Sequence, residues 1–426
     1  MFGRVELDLG LVPASDAGYG LPVTVSESAI ARFWLAAGEQ TAGPLSGIRV
    51  VEVGRYIAAP YAGRLLAGLG ATVVKVEDRG GGDPMRSWES GDRPYSPQFA
   101  AYNLSKSGIT LDLKQPDDVA TFAALTDSAD VLLENFRPGV MARLGVAPDT
   151  LLGRNPRLIV CSVTGFGPIG PYADRPTYDT VVSATSGLYS LLLPLSSASP
   201  VGPAMSDLLA GLFAAQGVLA ALNARHATGA GQLIDVSMLG SVLGFLGEAV
   251  TSAGETGRSI EPNTRQRRAQ AYGAVAGDGR AFVVHLSVPD KFWQALCRAM
   301  DRPDWLADPR LADRTLRYEN YAILEDLIRY QALTRPRDVW FEAFTANDLP
   351  HAPMNTLLDL RDDPQIAAMG LLEALPMPGR PMTVVGSPVT FSGTPVGAAR
   401  PAPLLGADDD ALRSTDARQA PGREKP

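Results

Sequence analysis

Short apolar runs alternate with amphipathic segments through the first half of the chain. The runs are rich in β-branched residues and predict strands at 47–53, 71–77, 108–113, 130–136 and 157–163. Segments with helical spacing and helix-end signals lie between them, at 59–70, 115–129 and 138–145. A strand that returns through a helix to the next strand builds a parallel sheet. The alternation therefore predicts a doubly wound α/β domain in which helices cover both faces of the sheet.

The pattern changes after a long apolar helix predicted at 205–227. Two strands around the glycine turn 277–279 are expected within 269–287. Helices predicted at 289–300, 318–334 and 336–347 follow, so this part of the chain is typical of a smaller α+β domain. The remaining predictions are a helix at 26–40 with Ser26 or Ser28 as its N-cap, strand-like structure at 382–395 and a frayed polar tail from about 413.

Composition narrows the class of protein. A chain of 426 residues with 46% apolar and 20% charged residues is globular and long enough for two or three domains. The net charge of −8 does not favour nucleic acid as a partner. Cys161 and Cys297 lie in apolar surroundings, which indicates buried free thiols. The first ten residues lack the pattern of a signal peptide, and Asp207, Gln216 and Asn223 make the long helix a buried helix rather than a membrane span, so we expect a soluble cytoplasmic protein.

Several cofactor and catalytic motifs are excluded. Residues 165–170, GFGPIG, match a dinucleotide fingerprint, but Pro168 and Pro171 prevent the helix that this fingerprint requires, so neither NAD nor FAD is expected. The chain has no phosphate loop and no nucleophile elbow of the α/β-hydrolases. Metal-ligand spacing is also absent, and we predict no metal site, because the histidines are scattered, at His226, His285 and His351.

Carboxylate chemistry remains, and Asp179 is the candidate. It follows a glycine- and proline-rich segment, where an aspartate is commonly a turn or helix-cap residue. A carboxylate in a partly desolvated pocket can also act as a covalent nucleophile. Attack on an acyl thioester would give a mixed anhydride, and backbone N–H groups of residues 164–167 would stabilise the oxyanion. Both interpretations of Asp179 stay open from the residues alone.

A set of longer stretches resembles one family, the class III CoA-transferases of the CaiB/BaiF type, which includes the formyl-CoA, carnitine and bile-acid CoA-transferases. ENFRPGVMARLG and GPYADRPTYD are the most specific of them. The stretches occur in the family's order, at 44–77, 109–114, 130–145, 155–179, 228–238, 363–372 and 385–395.

The resemblance implies a Rossmann-like large domain with a parallel sheet, a smaller α+β domain and an interlocked homodimer. The expected organisation is an N-terminal extension at 1–43, the CoA-binding large domain at 44–235, the small domain at 236–360, a return segment at 361–412 that completes the large domain, and a flexible tail at 413–426.

The resemblance also implies CoA transfer from an acyl-CoA to a carboxylic acid through an aspartyl intermediate, with Asp179 as the nucleophile. Coenzyme A enters as substrate, and neither nucleic acid nor a membrane is an expected partner. Lys106, Arg137 and Arg143 supply cations suited to its phosphates. The positions that match the family's CoA contacts are Tyr56, Ile57, Asn103, Leu104, Lys106, Asn135, Phe136, Arg137, Arg143, Thr164, Gly165 and Phe166.

Some positions depart from the family's pattern. Asp78 precedes Arg79 where a cation or proline is usual, and Ser107 replaces the second cation of a basic pair. The glycine-rich substrate loop of formyl-CoA transferase has no clear counterpart in 252–270. The apolar, small-residue content of 189–204 favours a partly apolar acid over oxalate.

Two alternatives remain. The 2-methylacyl-CoA racemases share the fold and use a histidine immediately before the aligned aspartate, together with a downstream acid. Asp207 matches that acid, but Tyr178 occupies the histidine position, and tyrosine is a poor base at neutral pH. The other alternative is a non-catalytic CoA-binding subunit. Tyr178 and the intact Asp179 favour CoA transfer over both.

Overall fold

The computed structural model describes residues 25–38, 42–287, 290–377 and 381–413. Its main sheet is parallel throughout, with the strand order β3-β2-β1-β4-β5-β6. This order is that of doubly wound Rossmann-type sheets, so the predicted α/β class with a parallel sheet is confirmed. The strands are β1 Arg49–Glu52, β2 Thr72–Glu77, β3 Ser107–Thr110, β4 Val131–Glu134, β5 Ile159–Thr164 and β6 Leu233–Ser237.

Helices cover both faces of this sheet. One face packs Val51, Val74 and Leu132 against the helices α1, α4 and α6, and the other packs Val50 and Val131 against α2 and α9. The helices of this half are α1 Glu27–Gly38, α2 Ala58–Gly68, α3 Pro97–Asn103, α4 Pro116–Asp127, α5 Val140–Arg143, α6 Pro148–Arg154, α7 Asp179–Thr185, α8 Leu188–Leu192 and α9 Met205–Thr228.

Helix α9 is the longest of these helices and lies directly against α2. In the part of the chain that the structure describes, it is the one helix long and apolar enough to cross a membrane, and 44% of its most apolar window is buried inside the protein. Gly211 permits the close approach, because a Cβ there would lie 2.8 Å from the Ala58 carbonyl oxygen. The helix therefore belongs to the core of the protein, as the polar residues along it predict.

The second half of the described chain has its own core, built on a three-stranded antiparallel sheet in the order β7-β8-β9. The apolar faces of Trp293, Trp340 and Phe344 pack on it. A short antiparallel hairpin, β10-β11, follows. The remaining elements are α10 Met238–Phe245, α11 Gly247–Thr256, α12 Thr264–Ala269, β7 Ala271–Val275, β8 Ala281–His285, α13 Asp290–Ala299, α14 Arg314–Glu319, α15 Tyr321–Ala332, α16 Arg337–Ala346, β9 His351–Pro353, α17 Pro364–Met369, β10 Leu372–Leu375, β11 Met382–Val385 and α18 Asp409–Arg413.

The last described residues close over the edge of the main sheet. Asp408 accepts a hydrogen bond from the Gly108 N–H at 2.7 Å, and Asp409 accepts one from the Thr110 N–H at 2.7 Å. These carboxylates satisfy donors of the edge strand β3 that have no strand beside them. The predicted domain boundaries remain predictions, while the predicted N-terminal extension and tail lie largely outside the described residues.

Candidate active site

A groove opens at the carboxyl ends of β1, β4 and β5, where the order of the strands reverses. Ligands of open α/β sheets bind at this kind of position. The groove has a volume of about 420 Å³ and is lined by many of the residues expected to contact CoA. These are Tyr56, Asn135, Phe136, Arg137, Arg143, Thr164, Gly165 and Phe166.

Guanidinium groups line the groove from several sides. Arg55, Arg137, Arg143 and Arg175 all border it, and each residue is exposed. Arg175 also stacks on Tyr172, with 4.4 Å between its guanidinium carbon and the ring centroid. None of them forms an ion pair with a carboxylate of the described residues, so their charge is available to an anionic ligand.

Close packing requires a glycine at position 165, in the wall of the groove. A Cβ at Gly165 would lie only 1.9 Å from Thr177 Cγ2. Gly165 and Phe166 line the groove but not the cavity that contains Asp179. The glycine-rich segment therefore contributes to the wall of the groove and not to that of the Asp179 cavity.

The loop after β1 is held in place by hydrogen bonds from two sides. Asn135 accepts a hydrogen bond from the Arg55 N–H at 2.9 Å and donates one to the Arg55 carbonyl at 2.8 Å. Asp83 accepts one from the Tyr56 N–H at 3.1 Å. Tyr56 itself has a φ of 63°, a left-handed conformation that a bulky residue adopts only when its surroundings enforce it. The loop is thus a fixed part of the site.

Charged side chains buried beneath this loop help to hold Tyr56 in its left-handed conformation. Lys75 Nζ lies 3.1 Å from Glu52 Oε1 and 3.2 Å from Asp83 Oδ2, and it donates a hydrogen bond to the Gly54 carbonyl at 2.9 Å. Burial alone would lower the pKa of Lys75, but the neighbouring carboxylates raise it overall. A charged Lys75 thus joins the end of β1 to the acid that holds Tyr56.

Lys106 belongs to this buried cluster and is not in the groove. Its Nζ lies 2.6 Å from Glu52 Oε2 and donates hydrogen bonds at 2.8 Å to Asn103 Oδ1 and to the Pro60 carbonyl. Burial lowers the pKa of Lys106 to about 7. The structure therefore does not bring Lys106 or Asn103 to the arginine-lined groove, because both side chains are turned into the protein. Leu104 lines a separate apolar cavity.

Asp179 is the first residue of α7, and its side chain reaches the start of α9. Oδ1 accepts hydrogen bonds from the Ser206 hydroxyl at 2.7 Å, the Ser206 N–H at 2.8 Å and the Asp207 N–H at 3.4 Å. These hydrogen bonds all end on Oδ1, and Oδ2 accepts none from the described residues. Asp179 therefore does not cap its own helix but accepts N–H groups at the start of α9, and these bonds hold the carboxylate in one orientation.

Asp207 lies beside Asp179 and borders both cavities. Burial, with a smaller contribution from the negative charge of Asp179, raises the pKa of Asp207 to about 7. Its own charge in turn contributes to the raised pKa of Tyr102, after burial. A carboxyl group that holds a proton near neutral pH therefore stands next to one that is hydrogen-bonded as an acceptor.

A second cavity, of about 580 Å³, contains Asp179 and Ile57. Tyr56, Tyr178 and Asp207 are shared with the arginine-lined groove, so the two spaces meet at these three residues, which line the second cavity together with Asp179. Tyr178 is 64% exposed, and its ring meets that of Tyr56 edge to face, with centroids 6.2 Å apart. The segment 189–204 contributes Tyr189 and residues 200–204 to this wall.

Several site residues were not found from the sequence. Ser206 carries no motif, because its role depends on the meeting of α7 and α9. Arg55 and Arg175 had no signal beyond their charge, and Trp88 none beyond its type. Asp207 was identified only through its match to the racemase acid. Among the residues that the structure describes, no group of His, Cys, Asp and Glu has the arrangement of a metal site.

Comparison with known proteins gives a consistent family. The model of CoA-transferase family III matches residues 45–409. The acetyl-CoA:oxalate CoA-transferase of Acetobacter aceti is 33% identical over 81% of this chain and 90% of that protein. The succinate–glutarate CoA-transferase of Agrobacterium fabrum is 33% identical over 85% of this chain and 93% of that protein.

The fold agrees with solved structures. A crystal structure of a CaiB/BaiF family protein from Brucella suis superposes with a TM-score of 0.78 at 29% identity, and it covers 87% of this chain and 99% of that one. Together with the match over residues 45–409, this shows that the chain is a member of CoA-transferase family III.

Proposed function

We propose that the protein transfers CoA from an acyl-CoA to a carboxylic acid, with Asp179 as the covalent nucleophile. The observation that carries this proposal is the position of Asp179, in a cavity without Lys, Arg or His that meets a cation-lined groove at Tyr56, Tyr178 and Asp207. The groove suits the phosphates and pantetheine arm of CoA, and the cavity suits the acyl group. A thioester that spans both spaces would present its carbonyl carbon to Oδ2.

The proposed reaction proceeds by four attacks that conserve all atoms. The Asp179 carboxylate attacks the thioester, the C–S bond breaks, and a mixed anhydride and CoA thiolate form. The thiolate attacks the aspartyl carbonyl, which releases the first acid and leaves an aspartyl-CoA thioester. The second acid attacks that thioester to form a new anhydride and free the thiolate. The thiolate then attacks the new acyl carbon, which regenerates the carboxylate.

The other side chains have roles that follow from their positions. Ser206 holds Oδ1, so that Oδ2 is the attacking oxygen. Protonated Asp207 would donate a hydrogen bond to oxygen atoms that gain negative charge at the junction. Asn135 and Asp83 hold the Tyr56 loop that separates the two spaces.

The nucleotide end of CoA would extend into an adjoining cavity. This space of about 330 Å³ shares Arg55, Phe136 and Val140 with the groove and lies at the carboxyl ends of β1, β2 and β3. Lys114 supplies a cation there, and Asp112 offers a hydrogen-bond acceptor. We propose CoA contacts from the groove residues and from this cavity, without Lys106.

We also propose that the protein acts as a homodimer. A stripe of α9 is apolar and exposed, at Leu212 (47%), Phe213 (37%) and Leu219 (37%). Exposed large apolar side chains on one helix are common at subunit interfaces. Light scattering of the purified protein measures the mass, and a monomer would contradict this part of the proposal.

The central test is Asp179→Ala, with Asp313→Ala as the matched control. Both variants lose an aspartate that caps a helix, since Asp313 accepts a hydrogen bond from the Leu316 N–H at 2.9 Å far from the site. We expect Asp179→Ala to lose at least about 10⁴-fold in CoA exchange, as for removal of other nucleophiles. Asp313→Ala keeps its activity. Retained exchange in Asp179→Ala would refute the mechanism.

Two further measurements separate the alternatives. Hydroxylamine treatment during turnover should convert Asp179 to a hydroxamate, which peptide mass spectrometry detects. Solvent deuterium should not enter the α-carbon of a 2-methylacyl-CoA, because Tyr178 replaces the base that a racemase needs there. Deuterium entry without an acceptor acid would instead identify a racemase. CoA binding with no exchange for any substrate pair would identify a non-catalytic subunit.

A further inference from the structure

The cavity beside Asp179 has an unusual balance of side chains. Apart from Asp179 and Asp207, its lining is aromatic, aliphatic or uncharged, and it includes no Lys, Arg or His. The large side chains are rings placed at different angles, with Tyr56 and Trp88 centroids 6.0 Å apart at 43°. The lining residues that shape the body of this cavity are Tyr56, Ile57, Trp88, Tyr178, Tyr189 and Val201.

Positive charge lies on the other side of the junction. Arg55, Arg137, Arg143 and Arg175 line the groove, and none of them borders the Asp179 cavity. Of the groove and the Asp179 cavity, only the groove offers an anionic ligand group a cation among the described residues. In the Asp179 cavity, the described lining residues offer such a group two carboxyl groups and no cation.

We propose that the acids exchanged by this protein are monocarboxylic acids with an uncharged, largely apolar body, such as arylalkanoic or branched aliphatic acids. The proposal rests on the proposed function, because the cavity holds an acyl group only if Asp179 is the nucleophile. It assigns the one carboxyl group of the substrate to Asp179 and the apolar body to the ring-lined wall.

Charge disfavours the competing class of substrate. The relatives from Acetobacter aceti and Agrobacterium fabrum are named for oxalate, succinate and glutarate, which are dicarboxylates. While one carboxyl group of such an acid reacts, the other would enter the cavity close to Asp179 and Asp207. An unpaired anion there loses part of its hydration and finds no cation among the described lining residues, and both effects oppose binding.

The volume and the exposed apolar surface of the Asp179 cavity favour apolar monocarboxylic acids as substrates. The cavity volume of about 580 Å³ leaves room for an acyl group with an aromatic or branched body. Trp88 is 45% exposed and Val201 39% exposed, so apolar surface is available to be covered by a ligand. An aromatic or branched body would cover these side chains and gain the usual free energy of apolar burial.

The test uses the full-length protein and two acyl-CoA donors, 3-phenylpropanoyl-CoA and succinyl-CoA. Hydroxylamine trapping at Asp179 reports the first step for each donor. A competition of 3-phenylpropanoate, 4-methylpentanoate, succinate, glutarate and a trimethylammonium carboxylic acid then reports the acceptors by mass spectrometry of the CoA products. We expect kcat/KM for the apolar acids to exceed that for the dicarboxylates at least tenfold.

A variant moves a cation into the cavity. Val201→Arg places a guanidinium in the lining, on a segment between helices, and Val201→Gln is the neutral control of extended length. Val201→Arg should raise the glutarate-to-phenylpropanoate ratio at least tenfold over Val201→Gln. Circular dichroism of both variants verifies that they fold.

The outcomes are distinct. Hydroxamate formation at Asp179 with 3-phenylpropanoyl-CoA as the donor, together with the expected ratios, supports the inference. Trapping from succinyl-CoA alone, faster use of dicarboxylates, or faster use of the cationic acid overturns it while the proposed function stands. An unchanged ratio in Val201→Arg also overturns it. No trapping from either donor and no exchange overturns the proposed function, and the inference with it.

Discussion

Asp207 gives the protein a pH-dependent stability that one substitution should remove. Its pKa rises from the ordinary 3.8 to about 7 on folding, because the carboxyl group is buried and lies beside Asp179. The folded protein therefore holds this proton more strongly than the unfolded chain. The stabilisation is complete below about pH 4 and is lost as the pH rises through about 7. Asp207→Asn cannot ionise and does not show this loss.

The size of the effect follows from the pKa. A difference of about three pH units corresponds to about 4 kcal/mol, at about 1.36 kcal/mol for each unit. The difference in the free energy of unfolding between Asp207→Asn and the unsubstituted protein should therefore shift by about 3 kcal/mol in favour of Asp207→Asn when the pH rises from 5 to 8. Other titrating groups are common to both proteins and cancel in this difference.

Urea unfolding followed by tryptophan fluorescence, at one protein concentration and a series of pH values, measures the difference. Glu255→Gln, which removes an exposed carboxylate from α11, is the control for loss of a surface charge. Asp179→Asn should lower the pKa of Asp207 towards its ordinary value, since part of the increase comes from the Asp179 charge. A difference between Asp207→Asn and the unsubstituted protein that does not vary with pH would refute the reasoning.

The remaining predictions concern the buried charges and the groove wall. Glu52→Gln removes the carboxylate that Lys75 and Lys106 share, which leaves the buried Lys75 ammonium paired with Asp83 and favours the neutral form of Lys106. It should lower the free energy of unfolding by about 3 kcal/mol in chemical denaturation; an unchanged midpoint would contradict the assignment of these charges. Gly165→Ala should weaken CoA binding, measured by calorimetry, because its Cβ would meet Thr177 Cγ2 at 1.9 Å. Addition of Thr177→Ser, which removes that methyl group, should restore part of the affinity, and failure to do so would argue against this contact.

The strands of the main sheet could be predicted from sequence because they are buried on both faces. β1, β2, β4 and β5 therefore read as continuous apolar runs, and each lies within its predicted range to one residue. β6 was not predicted as a strand. It is an edge strand with Asp235 in its middle, and its hydrogen bonds to β5 define it more than its composition does.

The residues of the candidate site likewise divide into those that the sequence could predict and those that it could not. Asp179 and the groove residues Asn135 to Arg137 follow predicted strands or match a family motif, so their sequence positions were informative. Lys106 was not predictable, because a lysine in a loop has the same pattern whether it reaches solvent or a buried acid. Its carboxylate partner, Glu52, is distant in sequence, and only the folded chain brings the two together. The pairing of Asp179 with Ser206 likewise depends on the contact of two helices.

The cap that Asp179 forms on α9 has a consequence for the timing of turnover. In the resting protein, the Asp179 carboxyl group stands at the positive end of a 24-residue helix and accepts its first N–H groups. Acylation of Asp179 would convert that group to a neutral one and leave a weaker acceptor in its place. The resting carboxylate is thereby favoured over the acylated form by about 0.3–1 kcal/mol. In the proposed mechanism, the N-terminus of α9 would therefore favour the return of each covalent intermediate to the free carboxylate that accepts the next thioester.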